Sequence, residues 1–338
     1  MKKLTDLPSW KKGCEFFQVK YPFLCGAMTW ISDARLVTAV DRAGGLGFLA
    51  AGNMPPELLK KEIRLLRESG VNYGVNLITI APLFSQHLRL VTSLQVPVVV
   101  FAGSFPRRDE VRQAKEAGAR VLCFASTRSI AQRMIQYGAD GLILEGSEAG
   151  GHIGHVSTLV LIQQVLFEFP HIPVFIAGGI ATGKIIAHLF LMGAAGVQMG
   201  TVFAVSEESP AHPRFKERYL RANSREAFST PEYDSTLPVV SVRALKNQGT
   251  RDFGRLQLDL LKKMGNREIS RIEAQYKVEE YWMGALRKAV VEGDIDTGSL
   301  MAGQSVGLIR QIKPVRDIVE DLFTEARVHF QKIMTTLG

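Results

Sequence analysis

The chain has 338 residues, 46% of them hydrophobic, and a formal net charge of +8, enough apolar material for one large core or two modest ones. No apolar run reaches the roughly 18 residues that a membrane-spanning helix needs. The N-terminus, Met1-Lys-Lys-Leu-Thr-Asp-Leu-Pro-Ser-Trp, lacks a signal peptide's apolar centre and cleavage site, so a cytoplasmic protein without membrane insertion is expected. The basic residues are scattered and carry no helix-turn-helix, finger or aromatic RNA-binding signature, so no nucleic-acid partner is expected. Cys14, Cys25 and Cys123 are odd in number and far apart, which fits neither a disulfide framework nor a zinc-ligand pattern.

Short apolar runs at 21–28, 45–50, 73–79, 96–102, 120–125, 141–145, 173–177 and 196–200 read as parallel strands. They are continuous rather than alternating, as strands covered on both faces are. Between them lie amphipathic segments of helix length. Ser32-Asp33 caps one that ends before Gly44, and Pro55-Pro56-Glu57 opens one that ends at Gly70. Others span 108–117, 127–137 and 182–192, each followed by a glycine, the usual C-terminal signal. Eight strands alternating with helices predict a (β/α)8 TIM barrel rather than an open doubly wound sheet.

After Val205 the rhythm breaks. Residues 207–223 and 256–291 are charge-rich and helical in pattern, which predicts a helical insertion after the eighth strand. The barrel is expected over 1–205 plus 305–338, and the insertion over 206–304, as a cap on the substrate side. Apolar spacing at Val315, Ile318, Val319, Leu322, Phe323 and Ala326 predicts the barrel's last helix over 315–334.

The chemistry concentrates at expected strand ends, where barrel active sites lie. The sixth run leads into Glu145-Gly-Ser-Glu-Ala-Gly-Gly-His-Ile-Gly154. A histidine in such a loop titrates near neutral pH, which suits His152 to moving a proton to or from a substrate carbon. Gly178 and Gly179 follow the seventh run, and Gly200 and Thr201 the eighth, where phosphate commonly binds in barrels. Gly178-Gly-Ile-Ala-Thr-Gly-Lys184 imitates a Walker A loop, but Ile185 stands where Ser or Thr should hold magnesium. Exposed amides and the following helix N-terminus still suit an anion there. His152 and His155 lack a third ligand, so no metal is expected. Asn76 and Gly26-Ala27-Met28, at the third and first strand ends, offer an amide and close backbone to a flat heterocycle.

Several blocks together resemble the FMN-dependent family of nitronate monooxygenase (2-nitropropane dioxygenase) and FabK-type enoyl-acyl carrier protein reductase. They are Gly26-Ala-Met28, Ala43-Gly-Gly-Leu-Gly47, Gly74-Val-Asn76, the 145–154 loop, Ala177-Gly-Gly-Ile-Ala181 and Gly196-Val-Gln-Met-Gly-Thr201. Downstream come Glu208-Ser-Pro-Ala-His-Pro213, Val242-Arg-Ala-Leu-Lys-Asn-Gln248 and Gly298-Ser-Leu-Met-Ala-Gly-Gln304, so the resemblance runs from about residue 21 to 325. It implies a tightly but non-covalently bound FMN. The phosphate would lie on Gly178, Gly179, Gly200 and Thr201, with Ala177 and Met199 beside it. The ring would lie near Gly26, Ala27, Met28, Asn76 and Gln304, with Glu145, Ser147 and Gly151 close by. His152 matches the family's catalytic histidine.

The resemblance implies two chemistries. The leading one is an enoyl-ACP reductase of fatty-acid synthesis, in which NADH or NADPH is the electron donor. The segments at 243–248 and 298–304 look closer to that branch, and the positive charge suits an acidic acyl carrier protein. The alternative is a nitronate monooxygenase that oxidises alkyl nitronates with oxygen. A remote alternative is a barrel that binds a phosphate ligand without redox chemistry. The substrate is expected to be a small molecule or to be linked to acyl carrier protein, and the assembly to be a homodimer.

Overall fold

The computed structural model describes residues 2–237, 239 and 241–336. Among them the strands are β1 Phe23–Cys25, β2 Leu46–Ala50, β3 Tyr73–Ile78, β4 Val98–Ala102, β5 Arg120–Phe124, β6 Gly141–Glu145, β7 Gly151–His152, β8 Val174–Ala177, β9 Gly196–Met199, β10 Ala227–Ser229 and β11 Val242–Leu245. All but β7, β10 and β11 form a closed parallel barrel, sealed where Leu24 of β1 pairs with Gln198 of β9. The expected (β/α)8 TIM barrel is the fold. The first strand is shorter than the apolar run 21–28 that predicted it.

Side-chain direction along each strand follows the period of two. Leu24, Leu46, Phe48, Val98, Val100, Leu122, Ile143 and Phe175 pack inside the barrel. Val75, Leu77, Val99, Phe101, Val121, Leu142, Leu144, Ile176 and Val197 alternate with them and face the surrounding helices. A continuous apolar run thus serves two cores at once, and burying each large side chain contributes about 1.5–3 kcal/mol.

The N-terminal ends of the strands are plugged by helix Pro8–Phe17, which the strand–helix rhythm does not predict. Phe16 and Phe17 lie 5.6 and 4.9 Å from the Phe175 ring, and Phe17 lies 6.4 Å from Phe48. Gly13 lets this helix touch the barrel: a Cβ there would fall 1.6 Å from the Ala195 carbonyl oxygen. The final helix, Val315–Thr336, closes the outer ring against helix Gly183–Leu191.

Between β9 and the final helix lies the insertion. Its helices are Pro213–Arg221, Gln248–Gly265 and Arg271–Arg287. The pattern predicted over 207–223 starts late because Pro210 and Pro213 disfavour helix before them. The pattern over 256–291 is two helices, separated by a turn in which Arg267 adopts φ 60°. The insertion also contributes strands β10 and β11, which with β7 from the loop after β6 form an antiparallel sheet in the order β10, β11, β7. It has its own core of Leu237, Val242, Phe253, Leu260, Val278 and Trp282. Lys216 ties its first helix to the exit of β9, donating to the carbonyls of Ser206 and Ser209 at 2.6 and 2.8 Å.

Candidate active site

At the C-terminal rim the barrel interior stops being apolar. Continuing the alternation, the inward residues near the strand ends are Gly26, Ala50, Asn76, Ala102, Phe124, Glu145, Ala177 and Gln198, with Ile78 one step beyond Asn76 on β3. Glycine and alanine leave space, and Asn76, Glu145 and Gln198 face it from three strands. Asn76 and Gln198 are only 7% and 8% exposed. Among the described residues none of these three side chains has a hydrogen-bond partner within the protein. Their polar atoms stay within reach of solvent, so this layer can offer donors and acceptors to a ligand with polar edges. Glu145 is partly open to the mouth, yet burial pushes its carboxyl up to about 8.

The first strand's turn is built tightly. The Gly26 amide donates to the Met199 carbonyl at 3.0 Å. Ser32, which is buried, donates its hydroxyl to the Gly26 carbonyl at 3.1 Å and accepts from the Met28 amide at 2.9 Å. Ala27 packs at the edge of the interior core, and Met28 on the outer one. The Met199 side chain also belongs to the outer core, so only its backbone faces the neighbouring strand. Cys25 and Cys123 are buried, and burial pushes both thiols up; Cys14 is pushed up to about 11.

Gly178 and Gly179, after β8, take φ 90° and 74°, which favours glycine. A Cβ on Gly178 would also crowd the Gly146 carbonyl at 3.0 Å. Among the described residues the amides of Gly178, Gly179, Gly200 and Thr201 have no protein acceptor. Thr201 accepts from the Gly303 amide at 3.2 Å, which leaves its hydroxyl hydrogen available. The following helix is a different matter. The Gly183 amide donates to Glu325 at 2.6 Å, and Lys184 lies 3.9 Å from the same carboxylate. The anion that this helix end was expected to attract is therefore already supplied by the chain, at Glu325.

The loop after β6 is not a free coil. The Gly146 amide donates to Ala177 at 3.1 Å, and Ser147 donates to Val156 at 2.8 Å. Gly151 and His152 pair as β7 with Arg243 and Val242 of β11, and the Ile153 amide donates to Ser241 at 2.9 Å. Arg243, only 9% exposed, donates to the carbonyls of Ser147 and Ala227 at 2.9 and 2.6 Å. The segment before Gln304 closes over the same loop: the Gln304 amide donates to the Glu148 carbonyl at 2.9 Å, and Tyr219 donates to Met301 at 2.6 Å. The backbones of the predicted phosphate, ring and histidine residues are therefore gathered at one end of the barrel.

His152 keeps 40% of its side chain exposed. Protein packed around it disfavours the imidazolium and lowers its pKa, and Glu279 opposes that from 4.0 Å. Glu279 comes from the insertion helix Arg271–Arg287. His155 stands apart, 78% exposed and 3.8 Å from Glu232.

Sequence reasoning passed over Gln198, Ser32 and Glu279. Gln198 was signalled by parity, being polar between Val197 and Met199 in a strand whose even positions face inward. Glu279 carried no local signal, because only tertiary packing brings its helix over His152.

The sequence profile of the nitronate monooxygenase family matches residues 11–82 and 68–325. The chain belongs to the nitronate monooxygenase family. It is 29% identical to a (3aS,4S,5R,7aS)-5-hydroxy-7a-methyl-1-oxo-octahydro-1H-indene-4-carboxyl-CoA dehydrogenase of Mycobacterium tuberculosis, over 94% of this chain and 96% of that one. Among solved structures, FabK from Thermotoga maritima is 35% identical with TM-score 0.84, covering 99% of each chain. A nitroalkane oxidase from Streptomyces ansochromogenes is 28% identical with TM-score 0.78, covering 97% of this chain and all of that one. This member of the nitronate monooxygenase family is an oxidoreductase.

Proposed function

We propose that this protein holds FMN across the barrel mouth and uses it to reduce the C2=C3 double bond of an enoyl thioester. The observation that carries the reading is the end-to-end likeness to FabK, at 35% identity over 99% of both chains. The named substrate of the Mycobacterium tuberculosis relative, a carboxyl-CoA, also favours a thioester. The residues suit the cofactor. Unengaged amides at Gly178, Gly179, Gly200 and Thr201 fit a phosphate. A layer of small residues bearing Asn76, Glu145 and Gln198 fits a flat ring with polar edges.

Bound FMN would supply a hydride, drawn from NADH or NADPH, to the β-carbon of the substrate. His152, or a water it orients, would give the α-carbon its proton, and β11 fixes where the imidazole stands. Glu279 favours its protonated form. Arg243 holds the Ser147 carbonyl and so the shape of the loop. The protein works in the cytoplasm as a homodimer, on a thioester of acyl carrier protein or a small-molecule carrier.

A second reading, oxidation of nitronates with oxygen, is favoured by one observation. The lowered pKa of His152 keeps the imidazole neutral near pH 7, which suits a base toward a neutral nitroalkane.

Purified protein should be yellow and release FMN on denaturation; a colourless preparation that cannot be reconstituted with FMN would sink both readings. Anaerobic mixing with NADH or NADPH should bleach the flavin, and crotonyl thioester should restore its colour. No reduction by either nucleotide, together with turnover of propionate 3-nitronate, would replace the first reading with the second.

A further inference from the structure

We propose that His188 and His329, on the outer helical ring of the barrel, form a binding site for a late first-row divalent metal ion such as zinc or copper(II). The inference is independent of the flavin reading. Helix Gly183–Leu191 follows the glycine turn after β8, and the final helix Val315–Thr336 packs along it. Gly183 lets the two touch: a Cβ there would fall 2.3 Å from the Leu322 carbonyl oxygen and 2.4 Å from the Ala326 amide nitrogen. Glu325 then accepts from the Gly183 amide and pairs with Lys184. Four residues further along each helix, His188 meets His329. The helices therefore run parallel in a constant register, and the histidine pair is the rung that follows Lys184–Glu325.

The Nε2 atoms of His188 and His329 lie 3.1 Å apart, with ring centroids 5.1 Å apart and planes at 64°. Each ring thus points a nitrogen at the other. Without a metal, one Nε2 must donate and the other accept, and a bond between such exposed groups adds little. A metal ion uses both lone pairs instead. An ion about 2.0–2.1 Å from each nitrogen holds its ligands roughly 2.9 Å apart at a right angle and roughly 3.4 Å apart at the tetrahedral angle. The observed separation lies between those limits, so small side-chain rotations admit the ion. Both rings reach solvent, which can accept the Nδ1 protons. Glu325 is already engaged, and among the described residues no third His, Cys, Asp or Glu completes the set, so water fills the remaining positions. His152 and His155 differ, since they turn to separate carboxylates, Glu279 and Glu232. Imidazole ligands suit zinc, nickel and copper rather than magnesium or calcium, and copper(II) binds most tightly.

The ion joins the last helix of the ring to the helix that follows the Gly178–Gly179 turn. It binds the folded chain, in which these helices meet, and so stabilises barrel closure by mass action. The test is calorimetric titration of untagged protein with zinc, since a polyhistidine tag would bind the same ion. It should give a saturable site of one ion per chain. His188→Gln and His329→Gln should each weaken that site at least about tenfold, the smallest loss that even an outer-shell partner of a metal site incurs. No saturable binding at millimolar zinc, or binding that either substitution leaves within twofold of wild type, overturns the proposal.

Thermal melting gives a second readout. Zinc should raise the Tm of wild type and leave that of either variant where it is; an equal rise in all three overturns the proposal. Should the variants not fold, copper(II) added to wild type at one ion per chain decides. Its electron paramagnetic resonance spectrum should show two imidazole nitrogens, and zinc should displace it. A single nitrogen, or none, overturns the assignment.

Discussion

The barrel packs Phe17 and Phe48 round Phe175 at its closed end, and the insertion packs Phe253, Tyr281 and Trp282 round a centre of its own. The two cores are alike in chemistry and differ in what they hold. The barrel core carries Asn76, Glu145, Gln198 and the glycine turns on strands hydrogen-bonded on both sides. The insertion core carries β11 and Glu279, which reach His152 from outside the barrel. The polar rim thus belongs to a closed scaffold, and His152 belongs to a junction between the barrel and the insertion.

That separation can be broken experimentally. The largest effect is expected for His152→Ala, which should retain FMN and lose roughly 10²–10⁴-fold in turnover, the range of a general acid or base. Turnover within twofold of wild type would remove His152 from the chemistry. Next comes Trp282→Ala, with a cost of about 3–5 kcal/mol at a buried aromatic. Denaturant melts should show the insertion loosening and turnover falling while FMN stays bound. Release of FMN in parallel would mean that the two cores are one cooperative unit.

Arg243→Met should cost about 1.5–3 kcal/mol for a buried charged donor's bonds. Hydrogen exchange should locate the loss at the Ile153 amide and leave β6 protected; uniform loss across the barrel would contradict the junction. The smallest effect is expected for Glu279→Gln. Glu279 raises the His152 pKa against burial, so its neutralisation should move that titration to lower pH. An exposed pair contributes about 0.2–1 kcal/mol, or roughly 1.4- to 5-fold in the protonated fraction. A pH–rate profile displaced to higher pH would show that the pair acts in the opposite sense.

Much of the barrel was legible because its strands are covered twice, and that shows as eight unbroken apolar runs. The glycines of the rim were legible for a related reason: backbone turned toward a ligand tolerates few other residues. The sheet joining the insertion to the barrel was not legible. β7 is two residues long, and its hydrogen bonds come from a strand that follows it only after the last two barrel strands and the start of the insertion. The plug helix Pro8–Phe17 was equally hidden, since its meaning lies in the Phe175 ring it covers rather than in its own pattern.

By itself the sequence determined the barrel and the strand ends at which the glycine turns and His152 lie, because periodicity and turn chemistry act over a few residues. Tertiary structure alone decided three further things. It gave the Gly183 helix end to Glu325, faced Asn76, Glu145 and Gln198 toward one space, and brought Glu279 to His152. Each depends on groups distant in sequence meeting after closure, and so does the packing that pushes the Glu145 carboxyl up.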